Sequence, residues 1–565
     1  MAGDGTKDED NIMYSDKENV NILTSLLVAH GVRDIVVCPG SRNAPLVHNF
    51  NECPDITCFS ATDERSAGFL ALGLRQQTGI PVAVCVTSGS ALLNVLPAVA
   101  EATYQQQGII VISADRPEAW IGQLDGQTVP QPGVLGTFSA KSVSLPEPCN
   151  NEQHWHCNRL VNEALLEACS PSSPSVHINV PISEPLFSFT VPYLPEERTV
   201  RRMTLNNVDE REAIARILTR AHRLMVVTGQ MPSGSISNKM MSRMAGEVPV
   251  AYEPLSASDM PLSFIDQCLY AVEGDEAYFP DCVVYLGGNT ISKRLRRFLR
   301  SLPPSVVHIT ASSDGLLHDI SGNTAIVVKA SAEEMAAFVT EKACCNENRK
   351  EYHRLWASLR ETIAARHYAY APRYSQMMAV KEFEEGIVRA GDTVYYANSM
   401  SIRLAAVYAR HYVFCNRGVN GIEGSMSVAV GGALSLLRSN AEGKVYCVIG
   451  DLSFFYDNNA LWNVSLPSNL RIILLNNGGG AIFRNLKGLE KSDARERYIA
   501  AAHKASARGA CLQNGLKYLS ANDTTSLLNG LHELSESKGA TLLEVFTSPE
   551  DDERAYKDYY LNLKP

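Results

Sequence analysis

Two groups of polar residues in the last third of this 565-residue sequence have the types and spacing of a metal–diphosphate site. Asp451 follows one strand-like apolar run, and Asn476 and Asn477 follow the next such run about 26 positions later. An aspartate and an asparagine supply two hard oxygen ligands, and the glycines at 478–480 let a backbone carbonyl approach as a third. Because the protein supplies only these three oxygens, the remaining positions of an octahedral Mg²⁺ are left for phosphate oxygens and water. Mn²⁺ is the second candidate for the metal.

Parallel strands must position these residues. Short apolar, β-branched runs alternate with helical patterns along the chain, which is typical of open, mostly parallel α/β sheets. Such sheets bind ligands at the carboxyl ends of their strands, where the runs 445–449 and 472–475 both end. Each polar group alone is equally typical of an ordinary turn. The two groups together favour a site.

Three series of strands predict three α/β domains. We expect a disordered acidic tail over 1–11, an N-terminal domain over 12–190, a central domain over 200–355 and a C-terminal domain over 370–565. The segment 181–201 is rich in Pro and Ser and is typical of a linker. In the third series, the predicted strands are 393–397, 413–415, 445–449, 472–475 and 542–546.

Composition excludes several classes of protein. Lys and Arg number 51 and Asp and Glu number 61, which gives a net charge of −10 and argues against a nucleic-acid partner. We also expect no membrane partner, because no uncharged apolar run reaches about 18 residues. The 14 cysteines form no Cys-x-x-Cys pair, and several lie in apolar runs, so a reducing cytoplasm is the predicted location.

The spacing of Asp451 and Asn477 resembles the Gly-Asp…Asn-Asn signature of thiamine-diphosphate enzymes. In those enzymes a glutamate from another domain bonds N1′ of the aminopyrimidine and favours the imino tautomer that removes the C2 proton. Glu64, between a short strand and a helix, is the candidate here. Its alternative interpretation is an acidic residue in a first helical turn, which the helix dipole favours. The resemblance implies thiamine diphosphate with Mg²⁺ as the cofactors.

A set of motifs narrows the resemblance. In chain order they are PGSRNAP (39–45), DERSA (63–67), SADRP (113–117), QPG (131–133), SKRL (292–295), NS (398–399), NRG (416–418), GIEG (421–424) and GDLS (450–453). Together they are similar to the 2-succinyl-5-enolpyruvyl-6-hydroxy-3-cyclohexene-1-carboxylate synthases (MenD) of menaquinone biosynthesis, from about residue 12 to the C-terminus. This implies decarboxylation of 2-oxoglutarate and conjugate 1,4-addition of the succinyl carbanion equivalent to isochorismate.

The resemblance also implies roles for individual residues. Residues that would bind isochorismate are Ser41, Arg42, Arg116, Gln127, Lys293 and Arg294. Arg403 and Arg417 would hold the distal carboxylate of the succinyl group. Ile482, Phe483 and Leu486 would form an apolar wall. Residues that would contact the cofactor, besides Glu64, Asp451 and Asn477, are Ser399, Ile422, Gly450, Leu452 and Ser453. Ile422 would bend the cofactor, and the metal ligands would be Asp451, Asn477 and the carbonyl of Gly479.

Independent residue chemistry agrees with these roles. Both substrates are dicarboxylates, so an acidic protein must concentrate positive charge locally, and arginine is suited to bidentate capture of carboxylates. Some alternatives remain open. Lys293 and Arg294 lie in Lys-Arg-Leu-Arg-Arg, which is also typical of an exposed basic helix, and Asn476 could replace Asn477 as the ligand. Gly126 stands where relatives can carry an amide.

Two other functions compete with this one. The first is a different thiamine-diphosphate decarboxylase or carboligase, against which the absence of a His-His pair and of a clear dinucleotide fingerprint both count. The second is a non-catalytic nucleotide-binding protein of the same fold. If the family analogy holds, we expect a homodimer or homotetramer in which Glu64 of one chain faces the metal site of the other.

Overall fold

The computed structural model describes residues 12–170, 174–256, 260–344, 349–439, 442–462, 466–480, 482–483 and 488–564. The chain divides into two compact units, Met1–Arg202 and Met203–Pro565. The tail expected over 1–11 lies outside the described residues. No helix in the described ranges combines the length and the apolar character that crossing a bilayer requires.

The first unit is built on a six-stranded parallel sheet with strand order β3-β2-β4-β5-β7-β6. Its strands are β2 Asp34–Val37, β3 Thr57–Ser60, β4 Val82–Val86, β5 Ile110–Asp115, β6 Lys141–Ser144 and β7 Val176–Pro181. A separate antiparallel pair joins β1 Tyr14–Ser15 to β8 Phe189–Val191. Every residue of β4 is buried because helices cover both faces of the sheet.

Six α-helices lie in the described part of this unit. They are α1 Glu18–Ala29, α2 Ala44–Glu52, α3 Glu64–Thr78, α4 Ser90–Asn94, α5 Leu96–Tyr104 and α6 Asn151–Ala168. Helix α3 begins where the Asp63 side chain accepts a hydrogen bond from the Ser66 N–H, and it ends at Gly79, whose φ of 69° suits a residue without Cβ. Two apolar clusters form the core, one on each face of the sheet.

The second unit contains two sheets. The first has the order β11-β10-β12-β13-β14-β9, and its strands β10 to β14 run parallel. The second is wholly parallel, with the order β15-β16-β17-β19-β18. The strands are β9 Arg201–Thr204, β10 Leu224–Thr228, β11 Val250–Ala251, β12 Cys282–Leu286, β13 Val307–Ser312, β14 Thr324–Lys329, β15 Thr393–Tyr396, β16 Val445–Gly450, β17 Leu470–Asn476, β18 Lys517–Ala521 and β19 Thr541–Phe546.

Helices pack on both of these sheets. They are α7 Val208–Arg220, α8 Asn238–Glu247, α9 Ile265–Ala271, α10 Lys293–Ser301, α11 Ala332–Ala343, α12 Arg349–Ala369, α13 Gln376–Gly386, α14 Met400–Tyr408, α15 Ser425–Arg438, α16 Asp451–Tyr456, α17 Arg508–Gln513, α18 Thr524–Glu536 and α19 Pro549–Leu563. Helix α16 begins at Asp451, directly after β16 ends at Gly450.

The predicted α/β class with mostly parallel sheets is confirmed. The strand predicted at 413–415 is wrong, because Phe414 makes only an isolated bridge to Tyr395. Strands β6 and β18 were not predicted, since both are edge strands with few buried residues and give a weak apolar pattern. The boundaries of the three predicted domains stay predictions.

Candidate functional site

In the first unit, two predicted arginines meet at the carboxyl edge of the sheet. Arg42 follows β2 and is buried, with Nη1 donating to the Ile182 carbonyl at 2.9 Å and Nη2 to Glu184 Oε1 at 3.0 Å. Arg116 follows β5, and its Nη1 lies 4.0 Å from the same Glu184 oxygen. The two cations therefore share one carboxylate, while Ser41 beside them is exposed.

Gln127 lies in the loop that Arg116 holds. Arg116 Nε donates to the Gly126 carbonyl at 3.0 Å, and its Nη1 pairs with Asp125 Oδ2 at 3.2 Å. Gln127 has a φ of 57°, a strained value for a residue with a side chain, and its backbone packs against Gly89 at the start of α4. Arg116 thus connects Arg42, through Glu184, with the loop that carries Gln127.

Glu64 is the first residue of α3 and is half-buried. Asp63 already caps this helix, so the Glu64 carboxylate is not needed for capping. Its Oε2 accepts a hydrogen bond from Asn94 Nδ2 at 3.2 Å, and no described residue donates to the other oxygen, which is left for a ligand. This geometry suits a carboxylate that presents an acceptor to a ring nitrogen.

In the second unit, Asp451 and the loop after β17 form a compact oxygen-rich cluster. Asp451 is buried, and its Oδ2 accepts hydrogen bonds from the backbone N–H of Asn477 at 3.2 Å and of Gly479 at 2.9 Å. Burial raises the pKa of Asp451, and the backbone donors and His503 oppose that rise. Gly478 and Gly479 have φ values of 78° and 153°, which only glycine adopts without strain.

The structure distinguishes the two asparagines. Asn476 points into the sheet, where its Nδ2 donates to Glu544 Oε1 at 2.7 Å and its Oδ1 accepts from the Gly478 N–H at 3.0 Å. The side chain of Asn477 donates from its amide nitrogen to Asp552 Oδ2 at 2.8 Å. Among the described residues no donor reaches Asn477 Oδ1, so Asn477 rather than Asn476 has an oxygen free for a cation.

Two residues of this cluster were not predicted. His503 Nδ1 accepts the Ala505 N–H at 3.1 Å, which leaves the proton on Nε2, 3.4 Å from Asp451 Oδ2. Burial raises the pKa of Asp552, the partner of Asn477, to about 6. Neither residue stands out in the sequence: His503 belongs to no recognisable spacing, and Asp552 lies in an acidic first helical turn that the dipole alone would explain.

Five predicted substrate residues line one cavity of about 580 Å³ in the second unit. They are Lys293, Arg294, Arg403, Ile482 and Phe483. The predicted wall residue Leu486 lies outside the described residues. A smaller recess that Asn477 lines shares Met400, Ile482 and Tyr556 with this cavity. The loop of residues 477–480 after β17, which we call the metal loop, therefore adjoins the cavity.

The cavity carries unneutralised positive charge. Among the residues that the structure describes, no carboxylate pairs with Lys293, Arg297 or Arg403. The charge of Arg403, followed by burial and the charges of nearby arginines, lowers the pKa of Lys293. Three carboxylates (Glu253, Asp266 and Glu553) line the cavity with five cations (Lys293, Arg294, Arg297, Arg403 and Lys557), so positive charge is in excess and the cavity is suited to an acidic ligand.

The other two predicted cations are already engaged. Arg294 pairs with Asp266 and lies between the rings of Tyr270 and Tyr560, with its guanidinium 5.0 and 5.1 Å from their centroids. Arg417 donates to Asn398 Oδ1 at 3.2 Å and to the Thr290 carbonyl at 3.0 Å. Burial lowers the pKa of Arg417, whose Nε has no hydrogen-bond partner among the described residues.

The remaining predicted cofactor residues lie around the same sheet edge. Ser399 precedes α14 with a φ of 73°, a strained conformation typical of functional positions. Ile422 is 38% exposed, an unusual position for a core isoleucine. Gly450, Leu452 and Ser453 flank Asp451 at the junction of β16 and α16.

The residues present fit a divalent cation with a diphosphate. The donor set consists of a buried carboxylate, an amide oxygen that no donor reaches among the described residues and a glycine loop, which are the hard oxygen ligands that Mg²⁺ requires. Asp451, Asn477 and the Gly479 carbonyl would hold the cation.

Two family models match parts of the chain. Residues 18–135 match the thiamine pyrophosphate enzyme N-terminal TPP binding domain, and residues 396–545 match the C-terminal TPP binding domain. A solved structure of a thiamin diphosphate-dependent enzyme from Mycobacterium smegmatis aligns with a TM-score of 0.40 and 17% identity over 94% of this chain and 100% of that chain.

Relatives along the whole chain share one name, 2-succinyl-5-enolpyruvyl-6-hydroxy-3-cyclohexene-1-carboxylate synthase. The Bacteroides fragilis protein is 44% identical over 98% of this chain and 100% of its own length. The Bacteroides thetaiotaomicron protein is 42% identical, with 98% and 100% covered, and the Flavobacterium johnsoniae protein is 34% identical, with 95% and 97% covered. The chain therefore belongs to the 2-succinyl-5-enolpyruvyl-6-hydroxy-3-cyclohexene-1-carboxylate synthase family, thiamine-diphosphate-dependent transferases of menaquinone biosynthesis, as its motifs predict.

Proposed function

We propose that this protein decarboxylates 2-oxoglutarate and adds the resulting succinyl group to isochorismate in a conjugate 1,4 fashion, with thiamine diphosphate and Mg²⁺ as cofactors. The products are CO₂ and 2-succinyl-5-enolpyruvyl-6-hydroxy-3-cyclohexene-1-carboxylate. Bound thiamine diphosphate supplies the nucleophilic carbon that attacks the 2-oxo acid and accepts the electron pair left by CO₂ loss.

One observation carries the choice of substrates. Lys293, Arg297 and Arg403 line a cavity beside the loop after β17, none of them forms an ion pair among the described residues, and the cations of the cavity outnumber its carboxylates by five to three. A site for a simple apolar 2-oxo acid does not need this surplus of charge, whereas two dicarboxylates do. Arg403 is suited to the distal carboxylate of the succinyl group, and Ile482 and Phe483 form the apolar side of the same cavity.

The engaged arginines have a different proposed role. Arg42 and Arg116 share Glu184, and Arg294 is held by Asp266, so each keeps a fixed direction before substrate arrives. A guanidinium fixed in this way loses little side-chain entropy when it donates a further hydrogen bond to a carboxylate. Ser41 and Gln127 would add hydrogen bonds to isochorismate.

We further propose a homodimer or larger assembly in which Glu64 of one chain serves the metal site of another. Support comes from apolar side chains left exposed on two helices. Val428, Leu434 and Leu437 on α15 are between 39% and 45% exposed, and Phe69 and Leu70 on α3 are 44% and 42% exposed. Apolar groups in such number on one helix favour an interface with another chain.

The 13 described free cysteines fit a reducing compartment, and we propose the cytoplasm.

The decisive experiment supplies the protein with thiamine diphosphate, Mg²⁺, 2-oxoglutarate and isochorismate. We expect the succinylated adduct by mass spectrometry together with one CO₂ for each adduct. Omission of isochorismate shows whether simple decarboxylation competes. CO₂ release at the same rate with and without isochorismate, and no adduct, would instead indicate a plain 2-oxoacid decarboxylase.

A further inference from the structure

Glu544 is a fully buried carboxylate in β19, and among the described residues no cation pairs with it. Four groups satisfy it instead. Asn476 Nδ2 donates to Oε1 at 2.7 Å, and the hydroxyls of Ser506 and Tyr518 donate to Oε2 at 2.7 and 2.8 Å. The Ala507 N–H lies 3.1 and 3.2 Å from the two oxygens. Without these donors, burial of a carboxylate would be very costly.

The first of these contacts leads to the proposed metal loop. Asn476 is buried, and because its amide group is planar, fixing Nδ2 on Glu544 also fixes the direction of Oδ1. That oxygen accepts the Gly478 N–H at 3.0 Å. Gly478 lies between the two proposed ligands Asn477 and Gly479, so Glu544 constrains the turn that presents them.

The second contact leads to the same loop from the other side. Residues 500–507, which we call the strap, are held by Glu544 through Ser506 and Ala507. Within the strap, the His503 N–H donates to the Gly478 carbonyl at 2.8 Å, and the Ala500 carbonyl accepts the Gly480 N–H at 2.6 Å.

The strap and the loop are in close contact. A Cβ on Gly478 would come within 2.9 Å of the His503 carbonyl oxygen, and one on Gly479 within 2.8 Å of the Ala500 carbonyl oxygen. His503 also places Nε2 3.4 Å from Asp451. A shift of the strap would therefore be transmitted to the loop and to the proposed aspartate ligand.

We propose that Glu544 is a positioning residue for the metal-binding loop. It fixes Asn476 beneath the loop and the strap beside it, and so keeps Asn477, Gly479 and Asp451 arranged for the cation. This inference rests on the metal site proposed above. Outer groups that orient metal ligands commonly change metal affinity by about 10- to 100-fold when they are replaced.

The test replaces Glu544 with Gln, which keeps the size of the side chain but exchanges an acceptor oxygen for a donor. The matched control is Glu384→Gln. Glu384 has a side chain only 2% exposed and accepts hydrogen bonds from Tyr396 OH at 2.5 Å and His411 Nε2 at 2.8 Å, and among the described residues none of its contacts reaches the loop of residues 477–480. Mn²⁺ binding to the full chain with saturating thiamine diphosphate is measured by the loss of the free-Mn²⁺ electron paramagnetic resonance signal, and Tm is measured for each variant.

We expect Glu544→Gln to weaken Mn²⁺ binding at least about tenfold, and Glu384→Gln to lower Tm with less than about a threefold change in Mn²⁺ affinity. Equal affinities in Glu544→Gln and the wild type would contradict the inference, as would equal losses in both variants. If Glu544→Gln does not fold, Ser506→Ala combined with Tyr518→Phe removes two donors more mildly, and unchanged Mn²⁺ affinity there would also contradict it. A wild-type chain that binds no Mn²⁺ would instead contradict the metal site itself.

Discussion

At the scale of single residues, cations in the cavity differ in whether a carboxylate already neutralises them. Arg403 lines the cavity without such a partner among the described residues, whereas Arg294 is paired with Asp266. A free guanidinium can form a charge-assisted pair with substrate, and loss of such a pair commonly costs about 1.5–3 kcal/mol.

Arg403→Ala should therefore raise KM for 2-oxoglutarate about tenfold or more and leave KM for isochorismate less affected. Arg300→Ala is the control, because Arg300 lies on the same helix as Lys293 but donates to the Ile320 carbonyl and does not line the cavity. Steady-state kinetics with each substrate varied in turn check this. An unchanged response to 2-oxoglutarate would remove Arg403 from the succinyl pocket.

A second residue-scale prediction concerns Glu253, which lines the cavity and accepts the backbone N–H groups of Ile291 and Ser292 at 2.6 and 2.7 Å. Burial raises its pKa from 4.5 to about 7, against the opposing effect of these donors. Between these two values the folded state binds more protons than the unfolded state, so the contribution of Glu253 to the free energy of unfolding falls as pH rises from about 5 to 7.

At about 1.4 kcal/mol per pKa unit, that fall is of the order of 3 kcal/mol. Glu253→Gln should be less stable at low pH, since it loses one acceptor, but its stability should decline less steeply over this interval. Urea unfolding at several pH values measures how steeply the free energy of unfolding changes with pH in the wild type and in the variant. If the free energy of unfolding falls equally with pH in the wild type and in Glu253→Gln, Glu253 does not titrate between about pH 5 and 7.

At the scale of elements, the turn after β2 presents Ser41 and Arg42 and depends on a close approach of backbones. A Cβ on Gly40 would lie 2.4 Å from Thr87 Cβ, an atom that cannot move away because it is fixed to its own backbone. Gly40→Ala should therefore destabilise the protein by about 1–3 kcal/mol and raise KM for isochorismate as the turn shifts.

Gly246→Ala is the opposite case, because nothing lies within 4 Å of its added Cβ on helix α8. It should be neutral or stabilising by up to about 1 kcal/mol, because alanine favours helix. Thermal unfolding of both variants separates the effect of the clash from that of simply adding a methyl group. A Tm for Gly40→Ala at or above that of the wild type would contradict the role of this approach.

At the scale of the whole molecule, the proposal requires that Glu64 of one chain and Asp451 of another complete a site. Glu64→Gln and Asp451→Asn should each abolish turnover as homodimers. Chains of the two variants that are unfolded together and refolded should recover about a quarter of the wild-type activity, because half of the dimers are mixed and each mixed dimer holds one intact site. A site contained within one chain would give no recovery in this mixture.

The amino-acid sequence by itself determined the features that depend on neighbours along the chain. The runs that become β16 and β17 and the polar residues that follow them, Asp451 and Asn477, could be predicted, because strand periodicity and turn chemistry are local. The ordered motifs also sufficed for the family. Edge strands β6 and β18 escaped prediction, since exposure weakens the apolar pattern on which such predictions depend.

Only the tertiary structure decided which predicted groups are available for chemistry. Asn476 and Asn477 cannot be distinguished in the sequence. In the structure, the side chain of Asn476 donates to Glu544, 68 positions away, and so points into the sheet. Arg294 and Lys293 are adjacent, but Asp266 and two tyrosine rings engage only Arg294. The physical reason is the same in each case: hydrogen bonds and ion pairs form between groups that folding brings together, and their separation along the chain gives no sign of it.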